Sequence, residues 1–472
     1  MPTNPSRIER ALLLFATAAS PLFFVQLAGK NLAPWTVFFP IVVLLYAVRT
    51  NTIIVGPTTR YLLGLLIFCL AITLSTVNSP FPLESLLDSG QYYIILLMVM
   101  PACLLGFRDL TTRWWVVLIL VLSLNSISVI GEVVAIINGS LVVELAYGNH
   151  NLIPMLTGAA AILNFGLVFS NNFNDECRKL LAMLSTVHLF TVFLGPSNGA
   201  KVMLVIAAWL FGWWMVERSR YPSRFYGLVS VVAGCIGLYG IYAFWEKIYE
   251  AAFYHRIPMY YEALIDGIRT FPLGGGMSSA NVYLADLPIG ISREVHNIWL
   301  SHWLEFGVLG VAGSVLLFLD WPILFTRVIH SRSDDLAGWE FGTAVLFGAW
   351  FVQVQFQPAP VTRFWWIVFA LSWTVLLDHH PDRLALSSQV TLDGSSVPLS
   401  TVWQSSRVTS AWVTLKETMW AVSQRVSSVT VCREDEPITL DQIGKAFTTP
   451  WRHSLLRDLV RLLLSDSGSN TK

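Results

Sequence analysis

Charge is what this sequence lacks most. Only 13% of its 472 residues are Asp, Glu, Lys or Arg, against about 25% in a soluble chain, while 54% are hydrophobic and the mean hydropathy is +0.60. Too little polar surface remains to cover soluble domains of this length, which excludes a soluble enzyme. An excess of either sign is also missing, since 30 Lys and Arg balance 30 Asp and Glu. Without a basic excess, no nucleic-acid partner is expected. The five cysteines include no Cys-x-x-Cys pair, and Cys69, Cys103 and Cys235 lie in apolar runs. They read as small apolar fillers, with neither a zinc site nor a disulfide framework.

What the chain has instead is a series of long apolar runs. They begin at Ala11, Leu32, Tyr61, Leu86, Trp114, Leu152, Leu180, Val202, Phe225, Trp299, Phe341 and Phe364. At about 20 residues per crossing they give about twelve spans, so the expected fold class is an all-α polytopic membrane protein. The first run is followed by Lys30 rather than by a small-residue cleavage site, so it is read as a span and not as a cleaved signal. Positive charge sets the orientation. Arg7 and Arg10 precede the first span, and the loops after even-numbered spans carry Arg49 and Arg60, Arg108 and Arg113, Arg178 and Lys179, Arg218, Arg220 and Arg224, then Arg327 and Arg332. The intervening loops hold only Lys30, Lys201 and Arg363 as short-range cations. Both termini are therefore expected on the cytoplasmic side.

One external segment departs from this sparse pattern. The stretch from Glu246 to Asn297 holds Lys247, His255, Arg256, Arg269, Arg293 and His296 together with Glu250, Glu262, Asp266, Asp286 and Glu294. Pro258 suits the first turn of a short helix running to Thr270, with Leu264, Ile265 and Ile268 expected on its buried face. Phe271-Pro-Leu-Gly-Gly-Gly-Met277 then reads as a tight turn. The expected organisation is nine spans in residues 1–245, this loop over 246–298, three spans over 299–380 and a cytoplasmic tail over 381–472. Val408, Trp412, Leu415, Met419, Val422, Val426 and Val429 form one helical stripe in the tail, suited to a coiled coil, a docking helix or a membrane-surface helix. The basic amphipathic stretch from Trp451 to Leu464 reads as a leaflet anchor.

The candidate chemistry gathers at the external mouth of the tenth span. There His296, Leu300, Trp303, Gly307, Gly310 and Ser314 would share one helix face, with His296 and Asn297 at its start. An imidazole at that place can accept a proton, hold a phosphate or simply anchor the helix. Arg256 offers a planar fork for phosphate, or a snorkelling cation in an aromatic belt formed by its tyrosine neighbours. Lys201, beyond Gly195-Pro-Ser-Asn-Gly-Ala200, opens the eighth span without Walker spacing. Glu132 and Glu305 are carboxylates inside spans, open to a functional or a structural role. His302 and Glu305 match no His-Glu-x-x-His pattern, so no metal site is read.

Arg256, Pro272-Leu-Gly-Gly-Gly276, His296-Asn-Ile-Trp-Leu300 and Glu305-Phe-Gly-Val-Leu-Gly310 follow one another over about 55 residues. In order and spacing this series resembles the signature of the O-antigen ligase and polymerase family of bacterial inner-membrane proteins, which includes exopolysaccharide polymerases. One upstream feature of that family, a Ser-Arg or Ser-Lys opening a span, is altered here: Asn198 follows Ser197, and the cation is Lys201. The resemblance ends before the tail. It implies a GT-C-like glycosyltransferase acting on the periplasmic face, with an undecaprenyl-pyrophosphate-linked glycan as donor and a glycan or lipid A-core as acceptor. It implies no cofactor and no metal, and the external side indeed carries no Asp-x-Asp motif. In the roles it implies, Arg256 clamps pyrophosphate, with Lys201 as a weaker second, and His296 orients or deprotonates the acceptor or binds phosphate. Asn198, Asn297 and Arg293 are the further candidates for substrate contact. Membrane lipids surround the chain, and the tail is the place for a chain-length regulator or another assembly protein. The altered Asn198 position and the tail favour a polymerase over a ligase. The competing expectation is a secondary transporter, against which the chain shows no matching halves. A scaffold acting through its tail is a third.

Overall fold

The computed structural model describes residues 4–21, 34–50, 52–139, 152–218, 256–277, 279–284, 295–330, 336–355, 363–379 and 388–391. In chain order the helices are α1 Arg7–Ala19, α2 Phe38–Thr50, α3 Thr59–Asn78, α4 Pro82–Gly106, α5 Leu110–Ile137, α6 Leu152–Val168 and α7 Asp175–Leu194. They continue with α8 Asn198–Arg218, α9 Arg256–Arg269, α10 Ala280–Tyr283, α11 Ile298–His330, α12 Gly338–Gln353 and α13 Arg363–Asp378. Among the described residues the architecture is helical, apart from a short antiparallel pairing of β1 Thr52–Gly56 with β2 Ser388–Thr391, in which Ile53 faces Val390. The chain divides into two compact units, Met1–Leu392 and Asp393–Lys472. The second unit, and with it the expected tail helices, lies outside the described residues, as does the expected span at Phe225.

Among the described residues, six helices are long and apolar enough to cross a membrane: α3, α4, α5, α7, α8 and α11. The protein is thus a multi-pass membrane protein. The other expected runs that fall on described residues are also helical but shorter, in α1, α2, α6, α12 and α13.

Local chemistry starts several of these helices. Ser6 and Glu9 close a reciprocal capping box on α1, with Glu9 N donating to Ser6 Oγ at 3.3 Å and Ser6 N to Glu9 Oε2 at 2.7 Å. Asp109 caps α5 by accepting from Thr112 N at 3.0 Å and also takes Arg10 Nη2 at 2.9 Å. The Glu9 carboxylate, buried in the structure, is held by Arg49 at 2.8 Å. Arg113 pairs with Asp378, tying α5 to α13.

Packing between helices depends on close approach and on aromatic bulk. α3 lies against α11, where a Cβ on Gly313 would fall 2.7 Å from Phe68 N. Two backbones can meet this closely only across glycine, the usual route to helix association in lipid. Asp320, buried on α11, closes the same seam by accepting from Arg60 Nη1 and Thr58 Oγ1, each at 2.8 Å. α11, α12 and α13 meet through rings: Trp321 of α11 meets Phe347 of α12 edge-on with centroids 4.8 Å apart, Phe347 stacks on Phe369 of α13 at 4.5 Å, and Trp350 on Trp365 at 5.1 Å.

α11 is two helices joined at a corner. Gly307 has φ 65° and ψ −160°, a conformation that glycine alone adopts readily. In a straight helix His302 and Ser314 would stand about 18 Å apart. Here His302 Nδ1 is 2.6 Å from Ser314 Oγ, so the part before Gly307 folds back along the first two turns of the part after it.

Candidate functional site

The corner at Gly307 is held by the glycine turn. Breaking a helix strands backbone groups that must find partners, above all within a membrane protein. Val308 N, which would have bonded within the helix, donates to Pro272 O at 3.1 Å. The released carbonyls of Leu304 and Glu305 accept from Gly275 N at 2.9 Å and Gly276 N at 2.8 Å. A Cβ on Gly274 would lie 2.6 Å from Glu305 O, and one on Gly307 would lie 2.7 Å from Gly274 N. Pro272-Leu-Gly-Gly-Gly276 and Glu305-Phe-Gly307, some thirty residues apart in sequence, are therefore one structural joint. Asn78 at the end of α3 fixes its other side by donating Nδ2 to Gly274 O at 2.8 Å. Gly307→Ala is expected to lower the thermal midpoint in detergent, by strain of about 1–3 kcal/mol plus the clash with backbone. An unchanged midpoint would mean that the corner does not hold the fold.

His296 stands just before α11, and the helix begins after it. The expected shared face from His296 to Ser314 is therefore not formed, because the helix starts at Ile298 and turns its corner at Gly307. It is His302, which is not on that expected face, that meets Ser314, with Tyr92 OH 3.3 Å from its Nε2. Asn297 caps α11: its Oδ1 accepts from Trp299 N and Leu300 N, each at 3.0 Å, and its Nδ2 donates to Gln355 O at 3.3 Å. Those two amides are committed to the cap rather than offered to an anion.

Arg256 is the first residue of α9, and Tyr260 one turn on donates its hydroxyl to His296 O at 2.9 Å. This contact brings the two strongest sequence candidates into one place. Burial, and after it the Arg256 cation, hold the His296 imidazole down at about 4 from its ordinary 6.5. The ring is therefore neutral at physiological pH. Its Nδ1 is buried and has no hydrogen-bond partner among the described residues. Burial pushes the Tyr260 phenol up, and the Arg256 cation pulls against it. A neutral imidazole beside a guanidinium can take a proton while the cation attracts an anion.

The lowered His296 value has a consequence for stability. Between about 4 and 6.5 the unfolded chain binds a proton that the folded ring refuses. The stabilisation is complete above 6.5 and is lost as pH falls toward 4. Thermal midpoints taken from pH 7 down to 4.5 should drop less steeply in His296→Gln than in the native protein. Equal slopes would show that the ring is not buried as described.

The other candidates lie apart from this pair. Ser197 is buried and Asn198 is the exposed first residue of α8. Half-buried Lys201 donates its backbone N to Ser197 O at 3.3 Å, and among the described residues nothing joins its side chain to Arg256 or His296. Arg293 lies outside the described residues. Glu305 accepts from Ser301 Oγ at 3.3 Å. Among the described residues no three His, Cys, Asp or Glu side chains gather as a metal site would need.

Glu132 belongs to a second polar cluster. His188 Nδ1 on α7 lies 2.8 Å from Glu132 Oε1 on α5, and His188 Nε2 lies 2.9 Å from Asn125 Oδ1. Asn125 and Asn164 exchange amide hydrogen bonds at 2.8 and 2.9 Å, linking α5 to α6. Sequence reasoning singled out Glu132 but missed His188 and both asparagines. The available signal was a lone histidine within the apolar run of α7.

Compared with known families and with curated proteins, the chain matches no family model and no curated sequence.

Proposed function

We propose that the protein is a glycosyltransferase of the O-antigen ligase and polymerase type. It would join a glycan carried on undecaprenyl pyrophosphate to an acceptor hydroxyl at the periplasmic face of a bacterial inner membrane. The observation that carries this reading is the meeting of a neutral His296, whose buried Nδ1 has no hydrogen-bond partner among the described residues, with the Arg256 cation at the start of α9. In the reaction, the acceptor oxygen attacks the anomeric carbon and its proton passes to His296. The bond to the pyrophosphate oxygen breaks, and Arg256 balances the charge gathering on the departing group. The motif resemblance and the alternation of arginine between loops support a GT-C-like arrangement of about twelve spans with both termini cytoplasmic. The changed Ser197-Asn198 position favours a polymerase of capsular or exopolysaccharide over a ligase to lipid A-core. The deciding experiment incubates the reconstituted full-length protein with lipid-linked glycan and follows product mass. Covalent transfer or chain growth supports the enzyme, and its absence with intact donor overturns it.

A second reading has one observation in its favour. The Glu132–His188 contact, extended by Asn125 and Asn164, is the kind of titratable chain found inside secondary transporters. Movement of substrate across proteoliposomes without a covalent product would select that reading instead.

A further inference from the structure

α9 is built inside out. Met259, Ala263, Asp266 and Gly267 face the protein. Ile257, Tyr261, Leu264 and Ile268 face away from it, at 44%, 61%, 45% and 48% exposure. At about 100° per residue the two sets lie on opposite sides of the helix. This reverses the expected burial of Leu264, Ile265 and Ile268: Leu264 and Ile268 are exposed, and Ile265 is only half-buried. A helix docked on a protein in water turns its apolar stripe inward. An outward apolar stripe, with a carboxylate buried behind it, suits a helix whose far side meets lipid.

Position points the same way. Trp303 Nε1 donates to Leu264 O at 3.2 Å, and a Cβ on Gly267 would lie 2.9 Å from Trp303 Cε2. α9 thus rests on the part of α11 before Gly307, which folds back along the first turns of the part after it. From Val308 to His330 that second part runs about 34 Å at ~1.5 Å per residue, against a hydrocarbon core of about 30 Å. Its first turns therefore reach the membrane boundary. The apolar surface also continues beyond α9, through Phe271, 6.2 Å from Trp303 by ring centroids, to the exposed Val308 and Val315.

We propose that α9 lies in the membrane–water boundary, with Ile257, Tyr261, Leu264, Ile268 and Phe271 against phospholipid acyl chains. Such a helix sinks about 5–10 Å into the boundary region. The lipid contact rests on the membrane-spanning character of α11 and not on any chemistry at His296. One consequence does rest on the function proposed above: Arg256, at the start of this helix, stands at headgroup depth, where a lipid-borne pyrophosphate lies. The test places p-benzoylphenylalanine at position 261, 264 or 268 of the full-length protein in nanodiscs of phosphatidylethanolamine and phosphatidylglycerol. Position 262 serves as the control. Illumination should add the mass of one phospholipid at the three stripe positions and little at 262. Cross-linked dimers would assign the face to a second copy and overturn the proposal. Absence of any lipid adduct in folded variants would assign it to water and do the same. Tyr261 is already aromatic and exposed, so its variant keeps the test alive where the Leu264 substitution impairs folding.

Discussion

His296→Ala should remove turnover while leaving donor binding near its native strength. The expectation follows from the state of the ring. Burial and the Arg256 cation hold it down at about 4, so at pH 7 it is neutral and one ring nitrogen carries a lone pair. A charged imidazole would bind phosphate well but could take no proton. A neutral one is a weaker phosphate ligand and a usable acceptor for a hydroxyl proton. Loss of a positioned general base costs about 10²–10⁴-fold in rate. Donor binding, transfer and thermal stability need to be measured on the same purified variant. Equal loss of binding and transfer would make His296 a phosphate ligand. Near-native transfer would sink the assignment altogether.

The parts of this molecule that were legible in its sequence are those governed by composition and by local pattern. Apolar runs gave the helices at Tyr61, Trp114, Leu180 and Val202, because a span needs little more than length and hydropathy. Pro258 marked the start of α9 and the glycine turn marked its end, since both act through their own backbone. The inward and outward sides of α9 were read the wrong way round for a physical reason. Periodicity shows that Leu264 and Ile268 share a face, but not whether that face meets protein or lipid. Gly307 could be seen as a small residue for helix contact. Its corner could not, because the hydrogen bonds that stabilise it come from Pro272, Gly275 and Gly276. The same limit applies to His188, whose partners Glu132 and Asn125 lie on another helix. His296 and Arg256 are candidates legible from residue type and order, whereas Tyr260, whose hydroxyl binds the His296 carbonyl one turn beyond Arg256, reads in the sequence as one of several interfacial tyrosines.

Arg256→Lys should impair transfer by about a hundredfold, or about 3 kcal/mol, although the charge is unchanged. A lysine offers a point charge at the end of a flexible stem, whereas the guanidinium presents a planar fork that can bind two oxygens of a pyrophosphate together. That difference matters most when negative charge gathers on the departing group, so the loss should fall on turnover more than on donor binding. The neighbouring histidine supplies an internal control. The Arg256 cation is the second cause of the low His296 value, and lysine preserves a cation there. The pH dependence of thermal stability should therefore stay native in Arg256→Lys. In Arg256→Gln, which removes the charge, the His296 value should rise and the acid loss of stability should become shallower. Burial, the larger cause, would keep it below 6.5. A hundredfold loss in the lysine variant with a native pH profile isolates the fork. Native transfer in that variant would show that charge alone suffices. A changed profile in it would mean that lysine does not reach the place the guanidinium holds beside His296.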